Sequence, residues 1–467
     1  MKKKIWWLSV AVSAVLISGC GAGGDSSTGN DSEAYIAFSK KPSPPIDMLV
    51  RTDGTAAGTQ EPDDTMIPSG DVSKVTIDNM EIYQNYLYFT ATAVIEHPNA
   101  TVPIPTILGK NYRMDLDQNH EIVDVNVPFS PDVFETQKAQ RVRTDDGLFM
   151  VYENNEEDRT YIKRFAPDGT MGIVAGFDDH ERAPDNYTGK TAAGDHLIYF
   201  GVYRDPSFAS VSTGKGHGVV TFDTTTSTFS DSLGAFENFL AGKMYYHAAS
   251  HKLYINGVAY DNGANHSGIY VFDTQTPNTP PVRLIPNVFA TGEYLVADGR
   301  IYVAASSVND SGQAAASGGT TNMYRIDSDN NNGFETLGPV HGIYHGLLTY
   351  DHTVYFIADG TLVQIHHEGT LEGVAHIDTT GATDGKAVEV DGKLYFAANA
   401  SATGIELYRF DGQAATRVTD INPGAGSADP THLAELNGRL VFQATPDGHD
   451  NHLYRYDPAS GAVADLN

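Results

Sequence analysis

The sequence predicts an all-β protein, a β-propeller with eight four-stranded blades, from three observations. An apolar-aromatic triplet returns eight times at intervals of about 50 residues, a length that accommodates four short strands with their turns. Most triplets are followed by an apolar run that ends in Asp and a turn residue. Helix signals are nearly absent after residue 20. Seven or nine blades remain open as alternatives.

Each triplet is expected to lie in a strand that is buried on both faces, because its apolar residues follow one another without alternation. The triplets are Leu87-Tyr88-Phe89, Leu148-Phe149-Met150, Ile198-Tyr199-Phe200, Met244-Tyr245-Tyr246, Ile301-Tyr302-Val303, Val354-Tyr355-Phe356, Leu394-Tyr395-Phe396 and Leu440-Val441-Phe442. The Asp residues expected to cap the turns are Asp53, Asp115, Asp223, Asp273, Asp327, Asp411 and Asp457.

The N-terminal segment of the predicted propeller, 34–53, is expected to close it. Ala34–Phe38 and Met48–Asp53 resemble the second and third strands of one more unit. A ring needs no polar end cap, since its last blade packs on its first. We therefore expect these two strands to lie against the Leu440–Asp457 blade. An extra hairpin on the outside of the propeller is the alternative.

The first residues predict a lipoprotein signal peptide. Lys2–Lys4 precede the apolar run Ile5–Ile17, which is too short to span a membrane. The sequence Ile17-Ser18-Gly19-Cys20 resembles the bacterial lipobox, and Cys20 is the single cysteine of the chain. An ordinary signal peptide with an incidental cysteine is the alternative.

The predicted organisation is a signal peptide at 1–19, a flexible tether at 20–33, and the β-propeller at 34–467. The tether is rich in Gly, Ser, Asn and acidic residues, which cannot bury apolar surface. Lipid on Cys20 would anchor the protein to a membrane of the cell envelope. In the lipoprotein family, an Asp after the cysteine marks inner-membrane retention, so Gly21 implies the outer membrane.

The formal net charge of −29 excludes nucleic acid as a partner and favours cations or basic partners. A solvated acidic surface without any such partner would account for the same charge.

Two segments resemble bacterial secreted proteins with ELWxxDGT-type repeats. The segment from Thr52 to Thr59 is similar to the DGTxxGT core, and Glu406–Gly412 matches the front half, with Tyr408 in place of Trp. Thr419–Pro430 resembles the segment that usually follows. Between Gln60 and Thr380 the motif itself is not matched, and only the repeat spacing of about 50 residues remains. The resemblance implies a propeller-like surface protein, and it supplies no catalytic residues.

The acidic turns offer two candidate calcium loops. Asp327, Asp329 and Asn331 place oxygen ligands at alternate positions, followed by a glycine that lets the loop turn. The loop from Asp115 to Glu121 is a weaker case. Asp and Asn are also favoured in turns without a metal, so ordinary turns are the alternative.

Histidines offer a second candidate metal site. His341 and His345 would share one face of the innermost strand of their blade, where a transition metal could bind. Hydrogen-bonded histidines without a metal are the alternative.

The sequence favours a binding or scaffold module with a protein or glycan partner. It contains no G-x-S-x-G motif and no P-loop. A propeller-based envelope enzyme, such as a glycan hydrolase or lyase, is one alternative, since fold does not decide function. An outer-membrane assembly lipoprotein is another, because Tyr454–Leu466 resembles one of that protein's blade turns.

Overall fold

The protein consists almost entirely of strands in the computed structural model. The structure describes residues 14–17, 33–40, 46–60, 63–64, 67–68, 71–96, 106–116, 120–125, 140–154, 159–177, 191–203, 217–230, 238–261, 264–276, 279–291, 294–297, 299–310, 320–327, 333–340, 345–350, 353–358, 361–366, 368–376, 387–399 and 404–467. In this described part of the chain, one short 3₁₀ turn, Ala248–Ser250, interrupts the strands. Within these ranges, no helix has the length and apolar character needed to cross a bilayer.

Eight sheets with strands in meander order make the protein an eight-bladed β-propeller, as predicted. A three-stranded sheet, the N-terminal sheet, comes before them and contains β1 (Ala14–Ile17), β2 (Glu33–Ser39) and β3 (Asp47–Thr52). Blade 1 contains β4 (Val72–Tyr83), β5 (Tyr86–Ile95), β6 (Thr106–Asp115) and β7 (Ile122–Asp124). Blade 2 contains β8 (Gln140–Thr144), β9 (Gly147–Asn154), β10 (Arg159–Phe165) and β11 (Met171–Phe177). Blade 3 contains β12 (Thr191–Gly194), β13 (Leu197–Tyr203), β14 (His217–Asp223) and β15 (Thr228–Ser230).

The remaining blades follow the same order. Blade 4 contains β16 (Phe239–His247), β17 (Lys252–Asp261), β18 (Ala264–Asp273) and β19 (Val282–Pro286). In blade 5 the first position is shared by β20 (Val288–Ala290) and β21 (Leu295–Ala297), followed by β22 (Arg300–Ser307), β23 (Thr321–Asp327) and β24 (Phe334–Pro339). Blade 6 contains β25 (His345–Tyr350), β26 (Thr353–Ala358), β27 (Thr361–Ile365) and β28 (Leu371–His376). Blade 7 contains β29 (Ala387–Val390), β30 (Lys393–Asn399), β31 (Ile405–Phe410) and β32 (Ala415–Arg417). Blade 8 contains β33 (Thr431–Leu436), β34 (Arg439–Ala444), β35 (His452–Asp457) and β36 (Ala462–Asp465).

The chain divides into two compact units. The first unit is Met1–Pro128, Gly360–Leu362 and Val374–Asn467, and it holds the N-terminal sheet with blades 1, 7 and 8. The second unit is Phe129–Asp359 and Val363–Gly373, and it holds blades 2 to 5 and most of blade 6.

The predicted triplets lie in second strands, with one exception. Met244-Tyr245-Tyr246 belongs to β16, the first strand of blade 4, and Leu253-Tyr254-Ile255 of β17 takes the triplet position. Both segments are apolar and aromatic. The turn between them ends at His251, with φ of 51°, and lacks the Asp-Gly or Asn-Gly pair that precedes several other triplets. Spacing alone therefore could not separate the two strands.

Successive triplet residues pack against different neighbouring blades, which explains the continuous apolar pattern. In blade 3, Ile198 and Phe200 share a buried cluster with Phe149 of blade 2. Tyr199, between them, packs instead in a cluster with Phe239 of blade 4. The second strand of blade 3 is therefore covered on both faces. A polar residue at any position of its triplet would be buried in one of these two clusters.

The N-terminal sheet repeats this arrangement in the first unit. Ala34 and Ile36 of β2 pack in a buried cluster with Val441 of blade 8. Tyr35, between them, packs with Leu87 of blade 1. Ala34-Tyr35-Ile36 thus behaves as a further triplet, and β2 behaves as a second strand. The prediction that these strands lie against the Leu440–Asp457 blade is confirmed.

Polar contacts also hold the N-terminal sheet on both sides. The Ser39 N–H donates to Gln443 Oε1 at 2.7 Å, and Asn451 Nδ2 donates to the Ser39 carbonyl at 2.8 Å. On the other side, the buried Asp47 carboxylate accepts the Ile77 N–H of blade 1 at 2.9 Å. Because these groups are buried, losing one partner would leave the other unsatisfied.

Candidate functional site

The predicted calcium loop is described only in part. Asp327 is the last residue of β23, and its N–H donates to the Gly333 carbonyl at 3.1 Å. Asp329 and Asn331 lie outside the described residues. Among the residues that the structure does describe, no group of three or more His, Cys, Asp or Glu side chains could hold a metal ion. Calcium binding at this loop stays a prediction.

The other predicted site residues are also spread through the chain. Asp115 ends β6, whereas residues 117–119 of the same loop lie outside the described part of the chain. His120, which follows them, hydrogen-bonds through Nε2 to Arg51 Nη1 of the N-terminal sheet. His345 begins β25 and pairs with Ile357, so it lies in the first strand of its blade as expected. His341 and Cys20 are outside the described residues.

Five of the seven Asp residues predicted to cap turns accept backbone N–H groups there: Asp53, Asp223, Asp273, Asp411 and Asp457. Asp223 Oδ1 accepts the N–H groups of Thr225 at 2.8 Å and Thr226 at 3.0 Å. Asp411 and Asp457 make the same pair of contacts with the residues two and three places further on. These backbone donors hold the pKa of Asp411 and Asp457 below the usual value for a carboxyl group. The caps are therefore structural, and they account for part of the acidic composition.

The Glu of the ELWxxDGT-like segment also has a structural role. Glu406 in β31 is fully buried. Its Oε2 accepts the Thr419 hydroxyl at 2.8 Å and the Ile421 N–H at 3.1 Å, and its Oε1 accepts the Asn422 N–H at 3.0 Å. Glu406 therefore fixes the loop that follows β32.

The DGT-like turn after β3 is closed by its own side chains. Asp53 Oδ1 accepts both the N–H of Thr55, at 2.8 Å, and its hydroxyl, at 2.7 Å. Gly54 has φ of 83°, and its carbonyl accepts Arg455 Nη1 of blade 8 at 2.8 Å. The motif thus shapes a turn and attaches it to the last blade.

A cluster of acidic and histidine side chains lies on the turns between the first and second strands of blades 2, 3 and 4. These turns follow β8, β12 and β16 in the second unit. The Asp145 N–H donates to the Asp195 carbonyl at 2.7 Å, so the backbones of two successive turns are in direct contact. We call this group the Asp–His cluster, and it contains Asp145, Asp146, Asp195, His196, Tyr246 and His251.

Asp146 connects blade 2 to blade 3. Its Oδ2 lies 2.8 Å from His196 Nδ1 and accepts the Thr224 hydroxyl at 2.5 Å. The Thr224 hydroxyl also lies 2.9 Å from the His196 carbonyl, and Arg164 Nη2 donates to the Asp146 carbonyl at 2.5 Å. Both the carboxylate and the backbone carbonyl of Asp146 are therefore fixed by hydrogen bonds.

Asp195 makes the corresponding connection from blade 3 to blade 4. Its Oδ2 accepts the Tyr246 hydroxyl at 2.6 Å and lies 3.3 Å from His251 Nδ1. The Tyr246 hydroxyl is itself 3.2 Å from His251 Nδ1. In each pair of blades, a turn carboxylate therefore meets the histidine of the next turn.

The contacts change the acidity of the cluster. The Thr224 hydroxyl and His196 hold the pKa of Asp146 below its usual value, and Asp146 in turn raises the pKa of His196 above 6.5. Burial, together with the bond to Asp195, raises the pKa of Tyr246 well above its ordinary value. Relative to the free side chains, Asp146 therefore stays ionised to lower pH and His196 stays protonated to higher pH, and Tyr246 stays a neutral donor.

The turns that carry the cluster are held by hydrogen bonds, whereas several of its charged side chains are exposed to solvent. The side chains of His196 and Asp195 are 53% and 37% exposed, and Asp145 is exposed as well. The sequence did not reveal this cluster, since Asp145-Asp146-Gly147 and Asp195-His196 look like ordinary turns. The available signal was the position of the histidines and carboxylates directly before the second strands, about one blade length apart.

The fold and this cluster define the class of the protein as an eight-bladed β-propeller with a charged turn surface. No protein-family model and no curated protein matches the chain. Solved structures similar to it include the S511A mutant of a puromycin hydrolase, with 10% identity and a TM-score of 0.41 over 83% of this chain and 53% of that one. A puromycin-hydrolyzing peptidase from Mycobacterium tuberculosis has 9% identity and a TM-score of 0.40 over 83% of this chain and 52% of that one.

A third similar structure is the computationally designed protein Ika8, with 12% identity and a TM-score of 0.39 over 80% of this chain and 94% of that one. The chain thus spans about half the length of the puromycin hydrolase and of the puromycin-hydrolyzing peptidase. At these TM-scores the likeness carries no information about ligand or reaction.

Proposed function

We propose that the protein is a lipid-anchored β-propeller of the cell envelope that acts as a binding or scaffold module for a basic protein surface. The observation that carries the proposal is the Asp–His cluster. It extends over the turns of three successive blades, with contacts of 2.8 Å between Asp146 and His196 and 2.6 Å between Asp195 and Tyr246. Such a surface is fixed before a partner arrives, which lowers the entropy lost on binding.

The charge of the protein supports a basic partner. The formal net charge is −29, and Asp145 and Asp195 add an exposed and a partly exposed carboxylate beside the Asp146–His196 pair. Complementary charge mainly raises the association rate and the specificity of a complex. A partner surface with Lys or Arg opposite Asp145 fits this pattern.

The proposed anchor is lipid on Cys20, joined to the propeller by the tether at 20–33. It is supported by the lipobox-like sequence Ile17-Ser18-Gly19-Cys20 and by the position of Cys20 as the single cysteine. Gly21 after the cysteine favours the outer membrane. Two signals are usually needed for stable anchoring, and a multiply acylated cysteine provides them at one residue.

The binding proposal is tested by photo-crosslinking in living cells. A photo-reactive residue replaces Asp145 in the cluster or, as the control, Asp261, an exposed acidic residue that ends β17 away from the turn before it. We expect a discrete crosslinked product from position 145 that is absent from position 261. Asp145→Lys should abolish co-purification of that product, whereas Asp261→Lys should not.

Equal crosslinking from both positions, or none from position 145, would contradict the proposal. Release of reducing ends from envelope glycans by the purified protein would instead support the enzyme alternative.

A further inference from the structure

The first strand of the N-terminal sheet comes from the predicted signal peptide. β1 pairs with β2 in antiparallel register, with Ala14 opposite Ile36 and Ile17 opposite Glu33. Since β2 behaves as a second strand, β1 occupies the first-strand position of this sheet. Its backbone lies near β33 of blade 8 and β4 of blade 1.

This position lies between two blades. Alternate residues of β2 pack on blade 8, through Ile36, and on blade 1, through Tyr35. β1 extends the same sheet, and its backbone lies near both of these blades. Consecutive apolar residues suit such a strand, and Ala14–Ile17 has the sequence AVLI.

Cleavage before Cys20 would remove β1 and leave the edge of β2 without its strand. The N–H and C=O groups of alternate residues in 33–36, those that point away from β3, would then lose their β1 partners, which favours pairing with another strand. The nearest remaining segment, 20–33, is rich in Gly, Ser, Asn and acidic residues and contains no run of four apolar residues. The segment that directly follows the cleavage point therefore offers no matching replacement.

We propose that the β2 edge at residues 33–36 is a strand-acceptor site in the processed protein. Its ligand is an extended segment of another protein with at least four consecutive apolar residues, antiparallel to β2. The inference rests on the proposed removal of the leader. Backbone hydrogen bonds would supply the affinity of the bound strand, and the two flanking blades would select apolar side chains.

The experiment uses the lipoprotein purified from membranes in detergent. Its intact mass shows first whether residues 1–19 have been removed. A fluorescent peptide with the sequence of Ser13–Ser18, SAVLIS, is then titrated and followed by anisotropy. The control is the same peptide with Leu16→Pro, which lacks a backbone N–H and disrupts the strand.

We expect saturable binding of the SAVLIS peptide and binding of the proline peptide that is at least about tenfold weaker. Hydrogen exchange of the amides at residues 33–36 that point away from β3 should slow when the SAVLIS peptide is present, and the amides bonded to β3 serve as an internal control. Both results would show that the bound peptide adds a strand to β2.

The other outcomes separate the two proposals. A retained leader overturns the anchored state, and it overturns the acceptor site as well because β1 stays in place. The acceptor site alone is overturned if the leader is absent but the SAVLIS peptide does not bind. Equal binding of both peptides overturns it too, as does protection of the amides at 33–36 that point away from β3 before any peptide is added.

Discussion

Replacing Glu406 with Ala should destabilise the protein strongly. The carboxylate is fully buried and accepts three hydrogen bonds, from the Thr419 hydroxyl and from the N–H groups of Ile421 and Asn422. Ala at this position leaves two backbone donors and one hydroxyl without their acceptor. Because Thr419 also accepts the Leu407 N–H at 3.1 Å, the loop cannot move away without breaking a further bond.

The magnitude follows from these contacts. A hydrogen bond to a charged group contributes about 1.5–3 kcal/mol, and some of the three lost bonds are replaced by water that enters the site. We therefore expect a loss of about 3–5 kcal/mol in the free energy of unfolding. Urea denaturation followed by circular dichroism measures this loss, and the slope with denaturant shows whether unfolding stays two-state.

The matched control is Glu389→Ala in the same blade. Glu389 lies in β29 and is exposed, so its loss should change the free energy of unfolding by less than about 0.5 kcal/mol. If Glu406→Ala is as stable as Glu389→Ala, the structural role assigned to the ELWxxDGT-like segment is wrong.

Three further predictions concern the anchor, the calcium loop and the Asp–His cluster. Cys20→Ala should abolish lipidation and move the protein out of the detergent phase on fractionation, and a variant that stays with membranes would count against the lipobox. Calcium at millimolar concentration should raise the melting temperature, because a ligand of the native state stabilises it by mass action, and Asp329→Ala should remove that shift. An unchanged melting temperature would contradict calcium binding and show that residues 327–333 form an ordinary turn. Asp146 raises the pKa of His196, so the stability from this pair is fully present below pH 6.5 and is lost as the pH rises through the higher folded value. Asp146→Asn should flatten the melting temperature across this range, and an unaltered pH profile would show that the pair is not coupled to folding.

The repeat was predictable because its signals come from residues that are close together in the sequence. Consecutive apolar residues such as Ile198-Tyr199-Phe200 report burial on both faces, and Asp223 reports a turn through contacts two and three residues away. The error in blade 4 has the same origin, because β16 carries a similar apolar-aromatic segment just before a turn with a different sequence.

The Asp–His cluster could not be predicted in the same way. Asp146 and His196 meet only because blades 2 and 3 are stacked, and their separation of 50 residues carries no local signal. The role of Glu406 likewise depends on the loop folding back onto β31. The calcium prediction rests on Asp329 and Asn331, and the structure describes neither.

The N-terminal strands pack against the last blade of the propeller. Lys40, directly after β2, is exposed, and its carbonyl accepts the Asn451 N–H at 2.8 Å. A photo-crosslinking residue at position 40 of the purified protein, followed by mass spectrometry of the digested chain, tests this contact. We predict an intramolecular crosslink to the peptide that contains Asn451. Crosslinks that map to blades 2 to 5, or no intramolecular crosslink at all, would contradict the claim.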